Sequence, residues 1–212
     1  MRTSGGGEDG VCPMVKRFVI GVTAALLLGG CGRPTVRPVT PETVIVAFGD
    51  SLTEGYGATP SESYPAALAR LLGCTVINAG VSGERSGEGV RRLPGVLGRY
   101  KPDIVVICHG GNDFLNGGSD AEVARNLRTM VSAVQASGAD AVLLGVPRPG
   151  LLLRVPPLYA EVAKEFRLPC DVKTVPRILA SAPLKSDMIH PNEAGYLQIA
   201  QRVAKLIRSS AR

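Results

Sequence analysis

Ser51, Asp187 and His190 are the residues of this sequence whose types and spacing could do nucleophilic chemistry. A serine hydroxyl becomes a nucleophile when an imidazole takes its proton, and the imidazole is held for that task by a carboxylate on its other nitrogen. Asp187-Met188-Ile189-His190 sets a carboxylate three residues before a histidine, a spacing that on a turn lets the carboxylate meet Nδ1–H and leaves Nε2 facing a serine. Attack on an acyl carbon also needs donors for the oxyanion, each worth on the order of 3 kcal/mol in the transition state. The backbone N–H groups of Ser51 and Gly80 and the side-chain amide of Asn112 are candidates for that role. Taken singly, Ser51 could be a helix cap and His190 a cap or surface residue. Their occurrence together favours an ester hydrolase with Ser51 as nucleophile, His190 as general base and Asp187 as the acid that orients it. Asp50 is then left to support the turn.

The elements that must position these groups are strands that end in small residues. Val44 to Phe48 is an apolar, largely β-branched run that stops at Gly49-Asp50-Ser51, as a buried strand does. Cys74–Gly80 and Ile104–Cys108 read as further strands, the second followed by Gly110-Gly111-Asn112-Asp113. Ala141–Val146 reads as a fourth strand and Cys170–Val175 as a fifth. Helical patterns fall between them, over 66–72, 88–100 with an interruption at Pro94, 120–137, 158–166 and 193–207, with Pro191 suited to the first turn of the last. Strands alternating with helices imply a parallel sheet covered on both faces, whose strand ends bring Ser51, Gly80 and Asn112 to one edge. The proline-rich stretch 147–157 suits either a loop beside a substrate groove or one tucked onto the core by its leucines.

Composition narrows the class. With 45% hydrophobic and 20% charged residues the chain is globular, and its 212 residues suit one α/β domain plus a leader. The net charge of +6 is spread along the chain without a basic block, which argues against nucleic acid as a partner. Five cysteines without Cys-x-x-Cys spacing and two histidines give no metal-ligand pattern, so no metal or cofactor is expected; Cys74, Cys108 and Cys170 read as small buried hydrophobes. Lys16-Arg17, the apolar Phe18 to Leu28, and Gly29-Gly30-Cys31 form a secretory signal peptide that reads correctly from Met14, with residues 1–13 a misplaced translation start. Leu28-Gly29-Gly30-Cys31 resembles a lipobox, which implies lipidation of Cys31, a membrane anchor and a place in the bacterial cell envelope. The expected organisation is a leader over 1–31, a proline-rich tether over 32–42 and the catalytic domain over 43–212.

Four blocks carry a resemblance. Gly49-Asp50-Ser51-Leu52, Asn78-Ala79-Gly80-Val81-Ser82-Gly83, Gly110-Gly111-Asn112-Asp113 and Asp187-Met188-Ile189-His190-Pro191 are similar, in order, to those of the SGNH or GDSL hydrolases. The resemblance implies a flavodoxin-like three-layer α/β/α sandwich with a five-stranded parallel sheet, and metal-free hydrolysis through an acyl-enzyme. It carries the family's Ser, Gly, Asn and His onto Ser51, Gly80, Asn112 and His190, with Asp187 as the acid. Gly55-Tyr56-Gly57-Ala58 and Glu62-Ser63-Tyr64-Pro65 resemble the arylesterase, lysophospholipase and thioesterase branch, implying aryl esters, lysophospholipids or acyl thioesters as substrates. Cys108-His109 departs from that branch, and His109 suits a structural role at a strand end better than one lining the pocket. A polysaccharide O-acetylesterase and a binding module on a hydrolase scaffold are the competing readings; the scarcity of aromatic residues speaks against the first and the intact blocks against the second.

Overall fold

The structure is a computed structural model that describes residues 34–150 and 152–212. The expected leader, signal peptide and lipidation site at Cys31 lie outside the described residues.

Five parallel strands form one sheet in the order β2-β1-β3-β4-β5, with β1 Val44–Gly49, β2 Thr75–Gly80, β3 Ile104–Cys108, β4 Asp140–Leu144 and β5 Cys170–Asp171. The three inner strands β1, β3 and β4 are almost wholly buried. Their Val/Ile/Leu runs have no polar alternation because helices cover both faces. Helices α2 Tyr64–Leu72 and α8 Glu193–Ser209 pack together, while α3 Ser86–Tyr100 packs on α5 Asp120–Ala136 and α5 on α6 Leu158–Phe166. The expected α/β/α sandwich with a five-stranded parallel sheet is the fold. Register fixes the working edge: Gly49 of β1 stands level with Gly80 of β2 on one side and Cys108 of β3 on the other. Strand order reverses direction at β1, so the crevice at its carboxyl end is where an open sheet of this kind receives a ligand.

Several elements differ from the sequence reading, each for a local reason. Ser51 opens a short helix, α1 Ser51–Glu54, and Asn112 lies in another, α4 Gly111–Leu115; both are too short for periodicity to reveal. α3 runs unbroken through Pro94, which faces solvent, and it begins at Ser86 because Glu88 caps the Arg85 N–H at 2.8 Å. β5 stops after Asp171, whose carboxylate accepts the N–H groups of Lys173 and Thr174 and turns the chain into α7 Thr174–Leu179. The last helix is capped by Asn192, which accepts the Gly195 N–H, so Pro191 lies before the cap and not in the first turn. The stretch expected to be a free tether is extended but fastened from Val36 onward. Val36 is fully buried and bridges Ala211, and the Arg37 guanidinium pairs with Asp103 and Asp140.

Candidate active site

Ser51, Asp187 and His190 meet at the carboxyl end of β1. His190 Nε2 lies 3.0 Å from Ser51 Oγ, and His190 Nδ1 lies 2.8 Å from Asp187 Oδ2. With Nδ1–H donating to the carboxylate, Nε2 is left as the acceptor for the serine proton. Asp187 Oδ1 in turn accepts the N–H groups of Ile189 and His190, both at 2.8 Å, so the acid and base form a self-bonded turn. Burial raises the Asp187 carboxyl, and the hydrogen bonds from His190 and these N–H groups outweigh it, leaving it below its ordinary range. The Tyr56 ring lies against His190 at 4.5 Å between centroids, and Tyr196 Oη pins the Tyr56 carbonyl at 2.7 Å.

Asp50 is almost fully buried and its Oδ1 accepts the Leu52 N–H at 3.0 Å, capping α1; burial raises its carboxyl. It supports the turn that presents Ser51, as expected. The cap bond goes to Leu52, and among the described residues no hydrogen bond engages the Ser51 N–H at the start of α1.

The predicted donors divide. Asn112 reaches the site, with its Nδ2 donating to the Glu84 carbonyl at 3.1 Å and a second hydrogen to spare. Gly80 does not serve as expected, because its N–H donates to the Asn78 side-chain oxygen at 3.0 Å. Its lack of a side chain has another cause: a Cβ there would lie 2.1 Å from the Glu54 nitrogen, so Gly80 is the place where α1 crosses β2. Gly83, in the loop between β2 and α3, has an N–H that makes no hydrogen bond among the described residues, and it lies immediately before the Glu84 whose carbonyl holds Asn112. Its φ of +78° is one that glycine adopts without cost.

His109 is fully buried, with Nε2 3.0 Å from Glu84 Oε2 and its ring tilted against Phe48, and it is not part of the groove wall. The structural role is the one it fills. Residues that the sequence reading passed over lie behind the site. Burial raises the Glu84 carboxyl, but hydrogen bonds from Arg92 and His109 prevail and bring it down to about 2. Asp113 accepts both the N–H and the hydroxyl of Ser86, at 2.8 and 2.7 Å, tying α4 to the start of α3. Nothing in the chain pattern marks these as partners, since they meet only through the fold.

A groove opens beside Ser51, Asn112 and His190. Its walls are Leu52, Leu115, Val146, Pro147, Pro149, Leu153, Leu179, Met188 and Ile189, an apolar surface with the reactive groups at one end. The proline-rich stretch therefore does both things left open by its sequence: Pro147, Pro149 and Leu153 face the groove while Leu153 and Val155 pack on the core.

The model of the GDSL-like Lipase/Acylhydrolase family matches residues 47–198. Thioesterase 1/protease 1/lysophospholipase L1 of Escherichia coli (strain K12) is 32% identical over 186 residues, covering 82% of this chain and 87% of that protein. Esterase TesA of Pseudomonas aeruginosa is 37% identical over 132 residues, covering 59% of this chain and 65% of that one. Among solved structures, TesA superimposes with a TM-score of 0.67 at 27% identity over 79% of this chain and 97% of its own. The psychrotrophic esterase EstA from Pseudoalteromonas, inhibited by monoethylphosphonate, superimposes with a TM-score of 0.65 at 25% identity over 80% and 96%.

Proposed function

The chain belongs to the GDSL-like lipase/acylhydrolase family, and from that premise we propose that it hydrolyses carboxylic esters and thioesters of apolar acyl groups through an acyl-enzyme on Ser51. The observation that carries this reading is the relay from Ser51 Oγ through His190 to Asp187, at 3.0 and 2.8 Å, at the head of an apolar groove.

His190 Nε2 takes the Ser51 proton as Oγ attacks the acyl carbon, and the carbonyl π pair moves onto oxygen. Asp187 holds the imidazole in the tautomer that can accept and stabilises the imidazolium that forms. The oxyanion is received by the Ser51 N–H, the Gly83 N–H and the free hydrogen of Asn112 Nδ2. Collapse of the adduct expels the alcohol or thiol, which leaves with the proton from His190. A water then repeats the sequence against the acyl-enzyme, releasing the acid and restoring Ser51. The groove walls take the acyl chain, and their apolar character favours aliphatic acyl groups over sugars. Aryl esters of fatty acids, acyl thioesters and lysophospholipids can all present such a chain, and the name of the Escherichia coli relative refers to the last two.

Ser51→Ala is expected to abolish hydrolysis of p-nitrophenyl acetate and labelling by a fluorophosphonate probe. Turnover retained in that variant would sink the assignment. Export to the cell envelope and anchoring at a lipidated Cys31 complete the proposal on the sequence of the leader alone, and membrane release by Cys31→Ser tests it.

A further inference from the structure

We propose that the Arg92–Glu84 ion pair is the positioning device of the oxyanion hole, holding in register the segments that carry the Ser51 N–H, the Gly83 N–H and the Asn112 amide. The inference rests on the esterase reading above and assigns to α3 a part in catalysis without contact with substrate.

The Arg92 guanidinium grips Glu84 side-on, with Nε 2.6 Å from Oε1 and Nη2 2.5 Å from Oε2. That fork uses one Nη2 hydrogen and leaves the other for two carbonyls, Ala79 at 3.0 Å and Gly49 at 3.4 Å. Gly49 is the last residue of β1, two before Ser51, and Ala79 lies in the last turn of pleat before the loop that bears Gly83. The guanidinium also sits over the Phe48 ring at 4.3 Å, so the end of β1 is held by both its backbone and its side chain.

Glu84 extends the grip to the third segment. Its carboxylate accepts from His109 Nε2 at 3.0 Å, in the stretch leading from β3 to α4, and its carbonyl accepts from the Asn112 amide at 3.1 Å. One pair, with Glu84 buried and Arg92 half-buried, thus touches the ends of β1, β2 and β3. Stability alone does not require charged residues here, since apolar residues can often replace a desolvated ion pair without loss. What an apolar replacement cannot supply is directional bonds to carbonyls on two strands at once. Lysine cannot reproduce the planar fork either, because its ammonium gives up the two-point grip on the carboxylate.

The full chain carrying Arg92→Met or Arg92→Lys provides the test, with Arg128→Met, an exposed pair with Glu165 on the far side of α5, as control. In Arg92→Met, kcat for p-nitrophenyl butyrate is expected to fall by about 10- to 100-fold, with KM changed by less than about twofold. The pH dependence of kcat/KM, which reports His190, should stay in place. Inhibition by a trifluoromethyl ketone should weaken by the same factor as kcat/KM, and Arg92→Lys should fall between. A folded Arg92→Met with wild-type kcat overturns the proposal, as does a loss that disappears when rates are divided by fluorophosphonate-titrated Ser51. Where Arg92→Met does not fold, Arg92→Lys decides by the same criteria, and failure of both to fold leaves a purely structural pair and overturns it. Absence of Ser51-dependent turnover in the wild-type chain would instead refute the esterase reading, a result separable from all of these.

Discussion

The depressed Glu84 carboxyl gives the protein's stability a specific acid dependence. Its side chain is only 6% exposed, and its titration is brought from an ordinary 4.5 to about 2 by Arg92 and His109, against the push of burial. A drop of about 2.5 pH units corresponds to about 3 kcal/mol of preference for the folded state with Glu84 ionised. Because the folded value lies below the unfolded one, that stabilisation is complete above about pH 4.5 and is lost as pH falls towards about 2. About 2 kcal/mol of it should be gone at about pH 3. Glu84→Gln removes the titration while keeping the shape, and it costs stability at neutral pH because Arg92 loses its counter-charge. Urea unfolding of both chains, followed by circular dichroism from about pH 7 to 3, gives the comparison. Asp140, held low by Arg37 and Arg212, and Asp171, held low by the Thr174 N–H and Arg202, titrate alike in both chains and cancel in the difference. The stability gap between wild type and Glu84→Gln should therefore shrink by about 2 kcal/mol between pH 5 and pH 3. Parallel stability curves over that range would refute the reasoning, because they would mean that Arg92 and His109 do not hold the proton off Glu84.

Asn112→Ala removes one of the proposed oxyanion donors and should lower kcat by about 100- to 1,000-fold with little change in KM, read by steady-state hydrolysis of p-nitrophenyl butyrate. Gly80→Ala and Gly83→Ala separate the two glycines: the first drives a Cβ to 2.1 Å from the Glu54 nitrogen, whereas nothing lies within 4 Å of the second. Thermal melts should show Gly80→Ala costing about 3 kcal/mol or more through backbone displacement, and Gly83→Ala only the roughly 1–2 kcal/mol of a left-handed alanine.

The sheet and most of its helices are legible because parallel strands buried on both faces write themselves as unbroken apolar runs, as Ile104–Cys108 does. The relay is legible for a different reason. All the bonds within Asp187–His190 run between residues at most three apart, so local spacing contains the geometry. Gly80 shows the limit of that kind of reading. A glycine at a strand end can make room for a substrate or for a neighbouring backbone, and only the crossing of α1 over β2 decides between them. α7 was hidden by Val172 and Val175, which read as strand until the Asp171 carboxylate turns the chain. Arg92 is hidden more deeply, since two of its acceptors are carbonyls and a carbonyl carries no residue identity.

The two halves of the site are therefore built on different principles, and this has a consequence for how the activity can be lost. The acid–base half is a turn bonded to itself, set 3.0 Å from Ser51 and packed by the Tyr56 ring, with the Asp187 side chain 43% exposed. Substitutions elsewhere in the domain have few routes by which to disturb it. The proposed oxyanion half is spread over the ends of β1, β2 and β3, and its donors are tied together by bonds between residues far apart in the chain, as from Asn112 Nδ2 to the Glu84 carbonyl and from the Val81 N–H to the Gly49 carbonyl. Its geometry depends on α3, whose Arg92 and Ser86 bind Glu84 and Asp113 from outside the groove. Damage to α3 should then leave a serine that still reacts with a fluorophosphonate but turns over esters slowly, because proton transfer is intact while charge stabilisation is not.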